Sequence, residues 1–239
     1  MDEQEIAKSA ALERRHWWYA GRRALVRRLL RGVDPGRAVD IGSGSGGNTA
    51  VLRDLGWDVA ALEWSPTASR LVAARGIPTV RGDARRLPFA DASVDLVLST
   101  DLWEHVDEDH EVAAEAFRVL RPGGRLLVAV PAGAVLWSGH DVALGHVRRY
   151  EPDTLRSRVG DAGFEVVDLR SWNVLLRPVA RLRRSQHSDA TSEMEPVHPV
   201  VNLGLRAIVA AESALPVQGL PGISLVVRAR KPAVPQKGP

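Results

Sequence analysis

Residues 38–47 read AVDIGSGSGG, an apolar run that ends in an acid and opens into four glycines and two serines. The spacing Gly42, Gly44, Gly47 satisfies the G-x-G-x-x-G pattern, in which glycines let a backbone approach a pyrophosphate at a helix N-terminus. That pattern leaves open whether the loop holds a phosphate or a ligand of positive charge. Asp40 stands two residues before Gly42, where a carboxylate facing the ligand repels a pyrophosphate and attracts an ammonium or sulfonium. The loop reads as a seat for a cation-bearing nucleoside.

Outward from the loop, strand and helix patterns alternate. Two helices are expected before it, over residues 3–15 and 17–31, stopped by Gly32 and the Asp34-Pro35-Gly36 turn. After it come a helix to about Leu55, a strand DVAALEW, and a helix opened by Ser65-Pro66. IPTVRGD and VDLVLST read as strands, HEVAAEAFRVL as a helix ending at Pro122-Gly123-Gly124, and RLLVAVP as a further strand. This alternation predicts an α/β fold with a parallel sheet and helices on both faces. Beyond it, residues 132–150 read as a loop, PDTLRSRVGDAG as a helix, FEVVDLRSW as a strand, VVNLGLRAIVAAESAL as an amphipathic helix and ISLVVRARK as a final strand. One domain is expected over 1–239, with an N-terminal helical lid at 1–32, a cofactor-binding core at 33–131, substrate-side elements at 132–230 and a tail at 231–239. A polar stretch at 184–198 reads as a mobile linker.

Ligands of such sheets sit at the carboxyl ends of the strands, and four acids fall there: Asp40, Glu63, Asp83 and Asp101. Glu63, about 20 residues beyond the glycines, is placed to accept from both hydroxyls of a ribose. Trp64 beside it offers a face for a purine, and Asp83 an acceptor for its amino group.

Composition bounds the rest. The 239 residues are 45% hydrophobic and 26% charged, which suits one large core. The absence of cysteine excludes disulfides, thiolate metal sites and cysteine nucleophiles, and fits a cytoplasmic location. The acidic start, MDEQEIAKSA, lacks signal-peptide character, and no apolar run is long enough for a membrane span. With 32 basic against 29 acidic residues the charge is near balance, so no nucleic-acid partner is expected.

Taken together, VDIGSGSG, ALEW, GDARRLPFADASVDLV, STDLWEHV and RVLRPGGRLLVAVP, in that order over residues 36–131, resemble the class I S-adenosylmethionine-dependent methyltransferases. The resemblance implies a Rossmann-like, mostly parallel seven-stranded sheet whose last strand, ISLVVRARK, is antiparallel. It implies S-adenosylmethionine as cofactor, with Asp40, Gly42, Gly44 and Gly46 around the methionine part, Glu63 on the ribose, and Asp83 with Ala84 on the adenine. The D-L-W-E-H-V segment is most similar to methyltransferases of quinone biosynthesis. That likeness implies Thr100 and Leu102 at the cofactor, and Arg22 or Arg23 on the methionine carboxylate. ERRHWWYAGRR and LWSGHDVALGHVRRYEP also look like motifs of enzymes that act on bacterial surface glycans and lipids, which implies a bulky or lipid-linked acceptor.

Methyl transfer from a sulfonium needs alignment first, and a base adds about 10²- to 10⁴-fold when the acceptor is a hydroxyl. His105, just past the fourth strand, is the first candidate base; Glu104 and His105 could instead open the following helix. The loop over the strand ends supplies His140, Asp141 and His146 as further catalytic candidates, and Trp137, Arg149 and Tyr150 for the acceptor. No defined metal spacing is matched there, and no metal is expected. In His16-Trp17-Trp18-Tyr19, neighbours about 100 degrees apart cannot share one helix face, so at least one ring projects into a cleft, and Trp17 and Tyr19 are the candidates. The expected reaction is O-methylation of a small or lipid-like acceptor, with N- or C-methylation, or cofactor binding without transfer, as alternatives. A homodimer is allowed by the apolar helix after residue 199.

Overall fold

The computed structural model describes residues 3–186 and 195–233. Helices α1 (Glu3–Glu13) and α2 (Trp17–Leu29) precede β1 (Arg37–Ile41), α3 (Gly47–Asp54), β2 (Asp58–Glu63), α4 (Pro66–Ala73), β3 (Thr79–Arg81) and β4 (Val94–Thr100). A 3-10 turn at Trp103–His105 leads to α5 (Asp109–Val119) and β5 (Leu120–Pro131). A second, Ala134–Leu136, leads to α6 (Gly139–Leu144), α7 (Pro152–Asp161), β6 (Glu165–Trp172), α8 (Arg177–Gln186), α9 (Pro199–Glu212) and β7 (Ser224–Arg230).

The seven strands lie in the order β3-β2-β1-β4-β5-β7-β6. β1 pairs in parallel with β2 and β4, and β4 with β5, while β7 runs antiparallel between β5 and β6. Strand order therefore reverses between β1 and β4, which opens a crevice at their carboxyl ends. The expected antiparallel last strand is present.

Strand alternation sends side chains to opposite faces. Val97, Leu126, Val128, Leu225 and Val227 join the layer packed with Val112 and Ala116 of α5 and Leu155 of α7. Leu96, Leu98, Leu127 and Val226 join the opposite layer with Leu25 and Val26 of α2, Val51 and Leu52 of α3, and Val209 of α9. Because both faces are covered, β4 and β5 read as nearly continuous apolar runs.

The local signals act as expected at α4, where Ser65 caps the helix by accepting from Ala68 N at 3.3 Å and Pro66 takes the first turn. Three expectations shift. Pro122-Gly123-Gly124 lies inside β5 as a register irregularity between Leu120 and Arg125, so that strand starts earlier than RLLVAVP. The 132–150 loop contains, besides the 3-10 turn, the short helix α6, which starts where the Asp141 side chain accepts from Ser138 N at 3.0 Å and stops at Gly145 (φ 72°). The start of the expected linker is helical through Gln186 in α8, residues 187–194 lie outside the described residues, and 195–198 lead irregularly into α9. Among the described residues no helix is long and apolar enough to cross a membrane.

Candidate active site

After β1 the chain turns through Gly42 (φ 73°), Gly44 (φ 56°) and Gly46 (φ 86°). At Gly42 only hydrogen fits: an added Cβ would stand 2.9 Å from Leu102 Cδ1, in a backbone conformation that side chains avoid. Glu63 clamps this loop to the end of β2, Oε2 accepting from Gly44 N at 2.8 Å and Oε1 from Ser65 N at 2.9 Å. From the N-terminal side, α1 brings Glu13 against Gly47, where it pairs with Arg75.

A cavity of about 620 Å³ runs from this loop past the end of β4. Gly42, Gly44, Glu63, Trp64, Asp83 and Ala84 wall one end; Glu104, His105, His140, His146 and Arg149 wall the other. Between them sits Arg22, 2% exposed, its guanidinium 4.5 Å from the centroid of Trp172 and 5.4 Å from that of Trp18. Arg22 Nη2 donates to Asp101 Oδ1 at 2.9 Å, while its Nε and Nη1 lack partners. Asp101 holds φ 55°, a strained conformation for a residue with a side chain, of the kind that persists at functional sites.

At the far end Glu104 is fully buried and neither carboxylate oxygen has a hydrogen-bond partner. Burial, with Asp101 adding repulsion, pushes its carboxyl well above the usual carboxylate range. His105 Nδ1 faces Gly145 O at 3.2 Å, and burial together with nearby His146 lowers its pKa to about 4. His146 Nδ1 lies 2.7 Å from Asp141 Oδ1, and Arg149 Nε donates to the same oxygen at 2.8 Å. Burial of Asp141 works to raise its pKa, but the His146 bond and the Arg149 charge prevail and hold it at about 2. One potential ligand atom from each of Glu104, His105 and His146 lies within 4.8 Å of the others.

A methyltransferase-domain family matches residues 39–128. A Mycolicibacterium smegmatis protein named "Probable S-adenosylmethionine-dependent methyltransferase" is 31% identical over 162 residues, 66% of this chain and 63% of that protein. Over residues 39–128 the chain carries a methyltransferase domain, and it is similar to class I S-adenosylmethionine-dependent methyltransferases. Its cofactor is S-adenosylmethionine. The match spans less than two-thirds of the length of that curated relative. Among solved structures, a chain from the Haloferax volcanii complex of the Trm112 methyltransferase activator with a protein named as a methyltransferase shares the fold at TM-score 0.66, with 24% identity over 97% of this chain and 96% of that one. The [4+2]-cyclase SpnF matches at TM-score 0.62 and 25% identity, over 91% of this chain and 82% of that one.

Against the expected sites, the cavity gathers Arg22, Gly42, Gly44, Glu63, Trp64, Asp83, Ala84, Thr100, Leu102, Tyr19, His105, His140, His146 and Arg149 on one continuous wall. Trp64 keeps 68% of its surface exposed at the rim, and Thr100 accepts from Asn48 Nδ2 at 2.9 Å. Asp83 reaches the wall with both oxygens engaged by the Arg85 fork, whose hydrogen bonds hold its carboxyl below the usual range.

Six expected residues stand elsewhere. Asp40 is off the wall and 1% exposed, accepting from the Thr49 hydroxyl at 2.5 Å beneath the loop. Gly46 supports the loop against Val72. Asp141 orients His146 and Arg149 from behind and caps α6. Tyr150 is fully buried, its hydroxyl donating to Asp109 Oδ2 at 2.6 Å, which makes it a structural tie. Trp137 is surface-exposed away from the cavity, and Trp17 packs with α9, its backbone N–H donating to Asn202 Oδ1 at 2.8 Å. The ring that projects inward beside Tyr19 is Trp18. Sequence reading missed Glu13, Asn48, Arg184 and the functional weight of Glu104. No motif marks the first three, and Glu104, though it stands in D-L-W-E-H-V, carries no sequence signal of its burial.

Proposed function

We propose that this chain, as a single methyltransferase domain working in the cytoplasm, transfers the methyl group of S-adenosylmethionine to an oxygen of a small or lipid-like acceptor. The observation that carries the reading is one cavity joining the Gly42–Gly44 loop to the His105, His140 and His146 imidazoles. Glu63 offers its carboxylate to the ribose, Trp64 and Ala84 bracket the adenine, and the guanidinium fork of Arg22, whose Nε and Nη1 have no partner, offers donors to the methionine carboxylate. Desolvation between Trp18 and Trp172 strengthens that fork. The acceptor oxygen then attacks the methyl carbon in line with the departing sulfur, so alignment and water exclusion supply most of the acceleration. His105 meets the acceptor as a neutral imidazole, because burial holds its pKa near 4.

An amphiphilic acceptor suits the cavity mouth. Arg184 of α8 is on its wall, and the same helix carries exposed Val179 beside further arginines. α9 adds exposed Val200, Val201 and Leu203, a face that also serves self-association, which sedimentation velocity would test: a monomer at every concentration refutes the dimer.

The primary test is calorimetric titration with S-adenosylmethionine, S-adenosylhomocysteine and NAD, followed by a screen of hydroxylated amphiphiles for labelled methyl transfer. Binding of the first two with a labelled ether product supports the reading; binding of NAD alone overturns it. The likeness to a cyclase on the same fold favours one second reading, cofactor binding without transfer, which tight binding with no methylated product would support.

A further inference from the structure

We propose that Glu13 takes the α-ammonium group of S-adenosylmethionine, so that helix α1 closes the amino-acid end of the cofactor seat; the inference rests on the placement of that seat argued above. The methionine part of the cofactor is a zwitterion, and a site that holds it needs a carboxylate beside the guanidinium. Arg22 supplies the donors, with Nε and Nη1 unpartnered. Asp40, the acid that precedes the loop, does not face the ligand: it is 1% exposed beneath the loop and accepts from the Thr49 hydroxyl. Three carboxylates on the wall have other work. Glu63 is clamped on Gly44 N and Ser65 N, Asp83 is held by the Arg85 fork, and Asp101 accepts from Arg22.

Glu13 is on the cavity wall and only 4% exposed. Its Oε2 is engaged by Arg75, while Oε1 stands against Gly47, where an added Cβ would strike it. The loop and the carboxylate of α1 meet at a glycine because only hydrogen leaves room there. Among the described residues no hydrogen-bond donor meets Oε1. Arg23, the residue after Arg22, donates through Nη1 to Glu13 O at 2.8 Å and fixes the end of α1 against α2. A free acceptor and a fork with free donors thus reach the same wall from two successive helices, which is the charge pattern of an amino acid read in reverse.

Arg75 holds the carboxylate in place, so the acceptor is oriented before the cofactor arrives and little side-chain freedom is lost on binding. Burial strengthens the contact, since a charge pair out of water is screened less. Because Ile6 and Ser9 of α1 are on the same wall, an ammonium held at Glu13 ties the whole first helix to the bound cofactor. The contact also sorts adenosine compounds: a thioether nucleoside without the amino-acid end draws nothing from Glu13 or Arg22, and one that keeps the amine but lacks the carboxylate draws on Glu13 alone.

The test titrates the full chain by calorimetry with S-adenosylhomocysteine, its decarboxylated analogue and 5′-methylthioadenosine, which lacks both charged groups. Glu13→Gln is expected to weaken the first two by about 10- to 100-fold each, the loss of one charge-assisted hydrogen bond, and to leave methylthioadenosine within about threefold, which also shows the variant folded. Arg22→Lys should weaken S-adenosylhomocysteine and spare the decarboxylated analogue. Arg75→Met, which keeps Glu13, should bind S-adenosylhomocysteine no more weakly than wild type. An unchanged S-adenosylhomocysteine affinity in Glu13→Gln, an equal loss for all three ligands, or an Arg75→Met variant that reproduces the Glu13→Gln pattern overturns the contact. Failure of wild type to bind any of the three overturns the cofactor seat itself, and the assignment of Glu13 with it.

Discussion

Asp40→Asn is the substitution from which the charge logic beneath the glycine loop can be measured. Burial raises the Asp40 pKa from 3.8 to about 7, opposed by the Thr49 hydrogen bond and reinforced by the charge of Glu63. The folded state therefore binds the Asp40 proton more tightly than the unfolded chain, so this residue removes stability as pH rises from about 4 to about 7, and the penalty is complete above 7. Holding the proton up to about pH 7 rather than 3.8, at 1.36 kcal/mol per tenfold change in proton concentration, is roughly 4 kcal/mol. Asparagine carries no such charge. Its buried N–H groups cost about 1–3 kcal/mol if they stay unpaired, but that cost is independent of pH and cancels when the variant and wild type are compared at two pH values. Urea unfolding at pH 4 and pH 8 should therefore show the variant gaining about 4 kcal/mol on wild type between them, or about 1–2 M in midpoint at slopes of about 2–3 kcal/mol/M. A stability difference that does not change with pH refutes the buried-charge account. The same ionisation should favour a sulfonium ligand: the affinity ratio of S-adenosylmethionine to its neutral homologue should rise with pH in wild type and stay flat in the variant.

Glu63→Ala removes the acceptor for Gly44 N and Ser65 N together with the proposed ribose contact, and calorimetry should show S-adenosylhomocysteine affinity falling at least about 30-fold, whereas Glu63→Gln keeps one acceptor and loses less. Arg22→Lys replaces a fork held between Trp18 and Trp172 by a point charge, and should weaken S-adenosylmethionine about tenfold or more in the same titration while the fold survives. Tyr150→Phe breaks the 2.6 Å bond to Asp109, which should cost about 1–2 kcal/mol in chemical unfolding and leave cofactor affinity unchanged; a loss of acceptor turnover without a loss of stability would return Tyr150 to the cavity.

The order of legibility follows the range of the interactions. The α/β alternation and the Gly42–Gly44 turn were readable because they depend on near neighbours: period, turn chemistry and an acid at a strand end. Trp18 was confused with Trp17 because a rotation of one residue about a helix decides which ring meets Trp172, and that is settled by packing across the fold. The short α6 was hidden because six residues carry no period, and its capping pair appears only when Ser138 and Asp141 face each other. The acceptor end shows the limit most clearly. His105 read as a candidate base, with a helix start at Glu104 and His105 as the alternative, because the sequence supplies no partner for either. Their partner, His146, arrives from the far side of β5, turned by Asp141, which Arg149 anchors, and the next residue, Tyr150, is tied down through Asp109. No spacing along the chain could show this cluster for a physical reason: the three side chains are brought together by the sheet crossover and not by one turn. The functional weight of Glu104 could only be judged once its burial without a hydrogen-bond partner was visible, because in solution the same carboxylate costs nothing.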